Sequence, residues 1–240
     1  MFSLAGSLMG PMPKSALVSN ADIGLNGNTE PVMPHGNTHG GLVQLDGDWY
    51  IFHHRHTSGQ EASRQGVAEK LPIREDGWFS QAEITSCGLN RGPLPALGTY
   101  NACYCCHLTS PGIQKKRYTV YDCRRGTEAH IYEEAVGDDE KDSLHYIANM
   151  ETGTVVGYKY FDFAGPVRLS LRLRGAGRVR VSARLDSPEA EAAASNACEL
   201  HGGWEQLALD TTAIRGVHAL YLSFEAEAPL QFESLDFRAE

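Results

Sequence analysis

At 240 residues with 42% hydrophobic content, the chain is long enough for one large domain or two modest ones, and its apolar share is that of an ordinary globular core. A formal charge of −9 disfavours nucleic acid as a partner, because a phosphate backbone is bound by a surplus of Lys and Arg, and neutral or cationic partners fit better. No run approaches the ~18 consecutive apolar residues that a membrane helix needs, so no membrane partner is read either.

The first residues are interrupted by Gly6, Gly10, Pro11 and Pro13, with no basic stretch leading into a continuous apolar one, which is not the pattern of a signal peptide. They read as a strand and turn from inside a domain. The parent protein is therefore expected to begin upstream, and secreted and cytoplasmic locations both stay open. Next, Gly41 to Gln44 and Trp49 to His54 flank Asp46-Gly47-Asp48, a hairpin signal because glycine takes the positive φ of a tight turn. Gln65 to Leu71 follows as a third strand, and Asp76-Gly77 repeats the turn device.

Of the six cysteines, four fall between Cys103 and Cys123, without the spacing of a disulfide framework. The run Cys103-Tyr104-Cys105-Cys106-His107 lacks a second ligand pair at structural zinc spacing. Alternation from Ala102 to Leu108 suits a strand in which some cysteines act as small buried hydrophobes. A polar, basic segment between Pro111 and Thr127 is the expected interdomain connection, and residues 136–143 form an acidic stretch.

Beyond it, Val167, Leu169, Leu171 and Leu173, then Val179 and Val181, alternate at period two, which marks a sheet with one buried and one wet face. Ala219 to Phe224 adds another strand. The alanine-rich residues 187–198 are the one candidate helix, with a long hairpin loop preferred in this strand-rich context. The expected fold is all-β, ending in a β-sandwich over residues 144–240.

The stretch Gly36-Asn37-Thr38-His39-Gly40-Gly41 through the hairpin to His53-His54-Arg55-His56 resembles the final blade of the family 43 glycoside hydrolases. Ser63-Arg64-Gln65-Gly66-Val67-Ala68-Glu69, Asp76-Gly77, and Thr85 to Asn90 followed by Gly92-Pro93-Leu94 resemble its next elements in the same order. In the tail, Tyr146 to Met150, Gly157 to Phe163, Arg184-Leu185-Asp186, Trp204, Gly216 to Leu222 and Phe232 to Phe237 resemble a family 6 carbohydrate-binding module.

The resemblance implies residues 1–108 as the last part of a five-bladed β-propeller, residues 109–143 as a linker and start of a second domain, and residues 144–240 as a carbohydrate-binding β-sandwich of jelly-roll type. It implies hydrolysis, with inversion, of arabinose- or xylose-containing plant cell-wall oligosaccharides or polysaccharides by the complete enzyme, an α-L-arabinofuranosidase or β-xylosidase. A blade takes ~40 to 45 residues, so the first portion supplies roughly two blades, and the catalytic ones are expected to lie elsewhere. The alternative reading is a non-catalytic carbohydrate-binding protein.

By the same resemblance, His39 points to the propeller axis and holds an ion or ordered water, Arg64 reaches into the sugar pocket, and His54 faces the axis with Phe52. A guanidinium fork suits two adjacent hydroxyls or a carboxylate. Tyr158 and Trp204 are candidates for stacking on sugar rings, since pyranose faces sit well on aromatic planes. Glu128 and Asp236 resemble the positions around a structural calcium ion, whose hard oxygen ligands would tie terminal strands together. No organic cofactor is implied. Asp46, Asp48 and Asp76 read as hairpin-turn carboxylates, and Glu69 is the one acid on a strand, whose face alternation alone does not decide. None of these acids stands in a motif of the family's catalytic carboxylates, so the chain by itself is expected to be inactive.

Overall fold

The computed structural model describes residues 2–3, 17–19, 21–33, 39–57, 60–111, 128–134 and 143–240. Gly36 to Thr38 of the histidine-containing loop, Cys123, the basic connection after Pro111 and most of the acidic stretch lie outside the described residues. Within them the chain is all-β, with one short 3-10 turn at Ala102–Tyr104.

The first portion centres on a three-stranded antiparallel sheet of β3 (Gly40–Leu45), β4 (Asp48–Thr57) and β5 (Gln60–Lys70), beside a small pair of β1 (Phe2–Ser3) and β2 (Leu17–Ser19). The β3–β4 turn is Asp46-Gly47, with φ of 50° and 91° and Leu45 paired to Asp48. Two positive φ values in a two-residue loop match the right-handed twist of the flanking strands. Ile51, Leu71 and Ala82 form a small core under this sheet, with Leu42, Trp49 and Phe79 packed against it.

Ten strands make the second sheet: β6 (Leu94–Pro95), β7 (Gly98–Asn101), β8 (His107–Thr109), β9 (His130–Glu134), β10 (Leu144–Met150), β11 (Val155–Phe163), β12 (Val167–Leu185), β13 (Ala192–Leu209), β14 (Gly216–Ala226) and β15 (Leu230–Ala239). β12 folds it into a sandwich. Its first half pairs with β15 (Leu171 to Leu235), its second half with β14 (Val181 to Phe224), and β13 runs along its other edge throughout. Strands that change partner in this way make the corners of packed sheets. The period-two residues of β12 point inward on both sides of the change: Leu169, Leu171, Leu173, Val179 and Val181 all join Phe161, Phe163, Phe224, Phe232 and Phe237 in the main core.

Two sequence expectations change here. Residues 187–198 are neither helix nor long loop: a turn closes at Ala190 and the alanines continue as β13, with Ala194 beside Ala183 and Cys198 beside Val179. Pairing along the whole of β12 outweighs the helix propensity of alanine. Residues 94–108, grouped by the sequence with the propeller portion, hydrogen-bond into the second sheet: Leu94 and Leu108 both pair with β11, and Tyr100 pairs with Leu235 of β15.

Further bonds bind the two portions. Arg55 of β4 is buried and donates to the carbonyls of Cys103 and Cys105, to Gln65 Oε1 at 2.9 Å and to Met33 Sδ at 3.1 Å. Leu108 N donates to Val32 O at 2.8 Å and Ser86 N to Lys159 O at 2.6 Å.

Candidate functional site

On the three-stranded sheet, the two-residue repeat puts Phe52, His54 and His56 of β4 on one face. Arg64 lies directly across from His56 in β5 and shares that face. His39 packs edge-on against His54, ring centroids 4.5 Å apart, and His54 lies parallel to His56 at 6.4 Å. A shallow cleft of about 420 Å³ is lined by His39, Phe52, His53 and His54 and by Gly66, Val67 and Ala68. The sequence-predicted His39 and His54 thus come together beside an exposed Phe52 ring, while Arg64 shares the sheet face farther along, across from His56, and does not line the cleft. His53, on the opposite face, is held neutral: burial lowers its pKa to about 4.

Among the described residues no three His, Cys, Asp or Glu side chains are arranged to hold an ion, and His39 packs edge-on against the His54 ring. Glu128 precedes β9, whose His130 pairs with Ala148, while Asp236 pairs with Thr99 near the far end of β15. The two acids are not brought to a common site. Asp236 instead accepts from Thr99 Oγ1 at 3.0 Å and from Arg238 Nε at 2.6 Å, and the backbone oxygen of Glu128 hydrogen-bonds His130 Nδ1 at 2.6 Å.

Two buried polar groups stand behind the junction. Glu69 is almost wholly buried, and its Oε2 accepts from the N–H and Oγ1 of Thr85, each at 2.9 Å. Burial pushes its pKa up to about 8, against the opposing hydrogen bonds from Thr85. Lys159 of β11 donates to Asp22 Oδ2 at 2.6 Å and Glu83 Oε1 at 3.0 Å, and Tyr160 OH donates to Glu83 Oε2 at 2.9 Å. Sequence reasoning missed this cluster because Lys159 and Asp22 are 137 residues apart, and local pattern does not record such a pairing. Asp46 and Asp48 form ion pairs with Arg91 and Lys70, and Asp76 with Arg74, as their turn positions suggest.

On the sandwich, Trp204 of β13 lies opposite Arg174, whose guanidinium sits 4.5 Å from the indole centroid and 5.3 Å from the ring of Tyr146. Tyr146 meets Trp204 edge-on at 5.5 Å and Tyr132 at 5.5 Å, and Glu134 and Glu233 anchor Arg174 and Arg172. Trp204 is therefore part of an aromatic and arginine surface, with Arg174 occupying one face of the ring. Tyr158 is not. It is fully buried, and its hydroxyl donates to the Ala102 carbonyl at 2.9 Å, so it packs the core and has no face for a sugar ring. The β11 register shifts between Tyr158 and Phe161, and half-buried Tyr160 reaches Glu83 instead of the core.

No protein-family model matches the chain. Over 224 residues it is 33% identical to a xylosidase/arabinosidase of Thermoclostridium stercorarium, an alignment covering 91% of this chain and 46% of that protein. The chain thus spans about half the length of this curated relative. Among solved structures, a glycoside hydrolase family 43 arabinoxylan arabinofuranohydrolase from Bacillus subtilis, crystallised with cellotetraose, superposes with a TM-score of 0.53 at 16% identity over 98% of this chain and 46% of that one. CsCBM6-3 from Clostridium stercorarium, in complex with cellobiose, aligns with 62% of this chain and 99% of its own at a TM-score of 0.48 and 17% identity. The all-β fold is thus shared, over nearly the whole chain, with that arabinofuranohydrolase.

Proposed function

We propose that the chain is the C-terminal portion of a family 43 glycoside hydrolase that cleaves arabinose- or xylose-containing plant glycans. In this reading it supplies sugar-orienting and sugar-binding surfaces, and the catalytic carboxylates come from the part of such an enzyme to which this chain does not align. The observation that carries the reading is the 33% identity over 224 residues to a xylosidase/arabinosidase. The Phe52, His54 and Arg64 face supports it, because an aromatic ring framed by fixed polar groups is the arrangement that binds a neutral sugar. On the sandwich, half-buried Trp204, backed by buried Tyr146, offers a second contact of that kind.

Inverting hydrolysis needs an acid and a base ~6.5 to 9.5 Å apart across the bond, with room for water between them. The described acids of the first sheet do other work: Asp46, Asp48 and Asp76 close ion pairs at turns, and Glu69 is closed in against Thr85. The test is an assay of the 240-residue chain on nitrophenyl arabinofuranoside and xyloside, run beside retention on insoluble arabinoxylan. Retention without hydrolysis is expected. Hydrolysis abolished by Glu69→Gln would move catalysis into this chain, and the absence of both retention and hydrolysis would sink the reading.

A further inference from the structure

A cleft of about 780 Å³ opens where the two portions meet. It lies far from Trp204: that ring sits opposite Arg174, whereas the cleft takes in Asp186, just past the end of β12. At ~3.3 Å per residue the two are separated by on the order of 40 Å of strand. One wall is the turn at residues 26–32 with Glu83, from the first portion. The other is built from Lys159 and Tyr160 of β11, Tyr221 of β14 and the segment from Asp186 to Glu189.

The floor of the cleft is fixed before anything binds. Glu83 is held by three donors, Lys159 Nζ at 3.0 Å, Tyr160 OH at 2.9 Å and Asn26 Nδ2 at 3.1 Å, and Asp22 Oδ2 fastens Lys159 from below at 2.6 Å. Asp22 and Lys159 are buried, while the Glu83 side chain stays 27% exposed toward the opening. A polar group immobilised by its own side of the site loses little further freedom on binding. Beside it, Tyr221 packs edge-on against His107 at 5.5 Å and adds an apolar patch with Ala219.

Charge decides the ligand class. Glu30, Glu83, Asp186 and Glu189 all line the cleft, and Lys159 is the one Lys or Arg among the described lining residues, already engaged by two carboxylates. An anionic ligand meets repulsion there, whereas hydroxyl groups find carboxylate, phenol and amide partners close together. The volume lies within the ~300 to 1,000 Å³ of small-ligand sites.

We propose that this junction cleft is a separate binding site for a short neutral oligosaccharide, formed jointly by both portions of the chain. The proposal depends neither on sugar binding at Trp204 nor on hydrolysis. The experiment is a titration of the isotope-labelled 240-residue chain with xylotriose, followed through its backbone amide resonances. Saturable shifts are expected at residues 26–32 and 186–189. Thr29→Trp and Glu189→Trp, at exposed positions on opposite walls, should each weaken the affinity reported there by at least about tenfold. Trp204→Ala should leave it unchanged, and a glucuronic acid-substituted xylotriose should bind at least about tenfold more weakly. Shifts confined to the surroundings of Trp204 and lost in Trp204→Ala would overturn the cleft while leaving the sandwich surface intact. Cleft shifts unaffected by both tryptophans, or no shift at all, would also overturn it.

Discussion

A carboxylic acid enclosed by protein is most stable with its proton on, and Glu69 is held in that state. Its pKa of about 8 in the folded chain lies above the ordinary 4.5, chiefly because burial disfavours the charge. Between those values the unfolded chain releases a proton that the folded chain keeps. The stability linked to Glu69 is therefore full below about pH 4.5 and declines as pH rises toward 8. Glu69→Gln, which keeps the shape and cannot ionise, is expected to flatten that decline, read as urea midpoints across the same range. His218, raised above 6.5 by its hydrogen bond to Asp186, loses stability in the same direction, so the informative quantity is the difference between variant and parent. An identical slope in both would mean that Glu69 ionises freely in the folded chain. The sequence showed Glu69 on a strand but not which way it turned. Arg55 and Lys159 were less legible still, since their partners lie 50 and 137 residues away and local pattern carries no record of them.

At the scale of elements, β11 is where the two portions are most closely fitted. Gly157 pairs with His107 of β8 on one side and Tyr221 of β14 on the other. A Cβ at Gly157 would meet the Tyr221 ring at 2.7 Å and His107 Cβ at 2.8 Å, so a side chain there must push β8 or β14 aside. Gly157→Ala is expected to lower stability by ~1 to 3 kcal/mol, the usual penalty of overpacking. It should also speed amide hydrogen exchange at Leu108 and Cys106, whose N–H groups bond to Val32 O and Gly157 O. Unchanged exchange at those amides would show that β8 does not depend on this fit. The hairpin at Asp46-Gly47 and the alternation of β12 were legible because turn chemistry and period-two burial are written locally. The strand at Ala192–Leu209 and the register shift at Tyr158 were not, because each is set by a neighbour distant in sequence.

Across the whole molecule, the connectivity predicts how the chain responds to being cut. β6, β7 and β8 precede residues 112–127, yet they pair with β11 and β15, which follow them. A chain carrying an engineered protease site within residues 112–127 should, once nicked, run as one species in gel filtration and separate only in denaturant. Spontaneous separation under native conditions would contradict the pairing of residues 94–109 with the sandwich.

The same interleaving bears on biosynthesis. Thr99 and Asp236 are hydrogen-bonded partners 137 residues apart, so a ribosome must translate almost the entire tail before β7 finds its neighbour. Until then the edge of β7 stands open in the nascent chain, while β6 and β8 find β11 earlier, and unpaired edges are templates for intermolecular pairing. Contacts of such long sequence separation also slow folding, because the loop must close before the bond forms. The tail's sheet is therefore completed by strands synthesised before residues 112–127, and the first portion of the chain closes only as the last strand emerges.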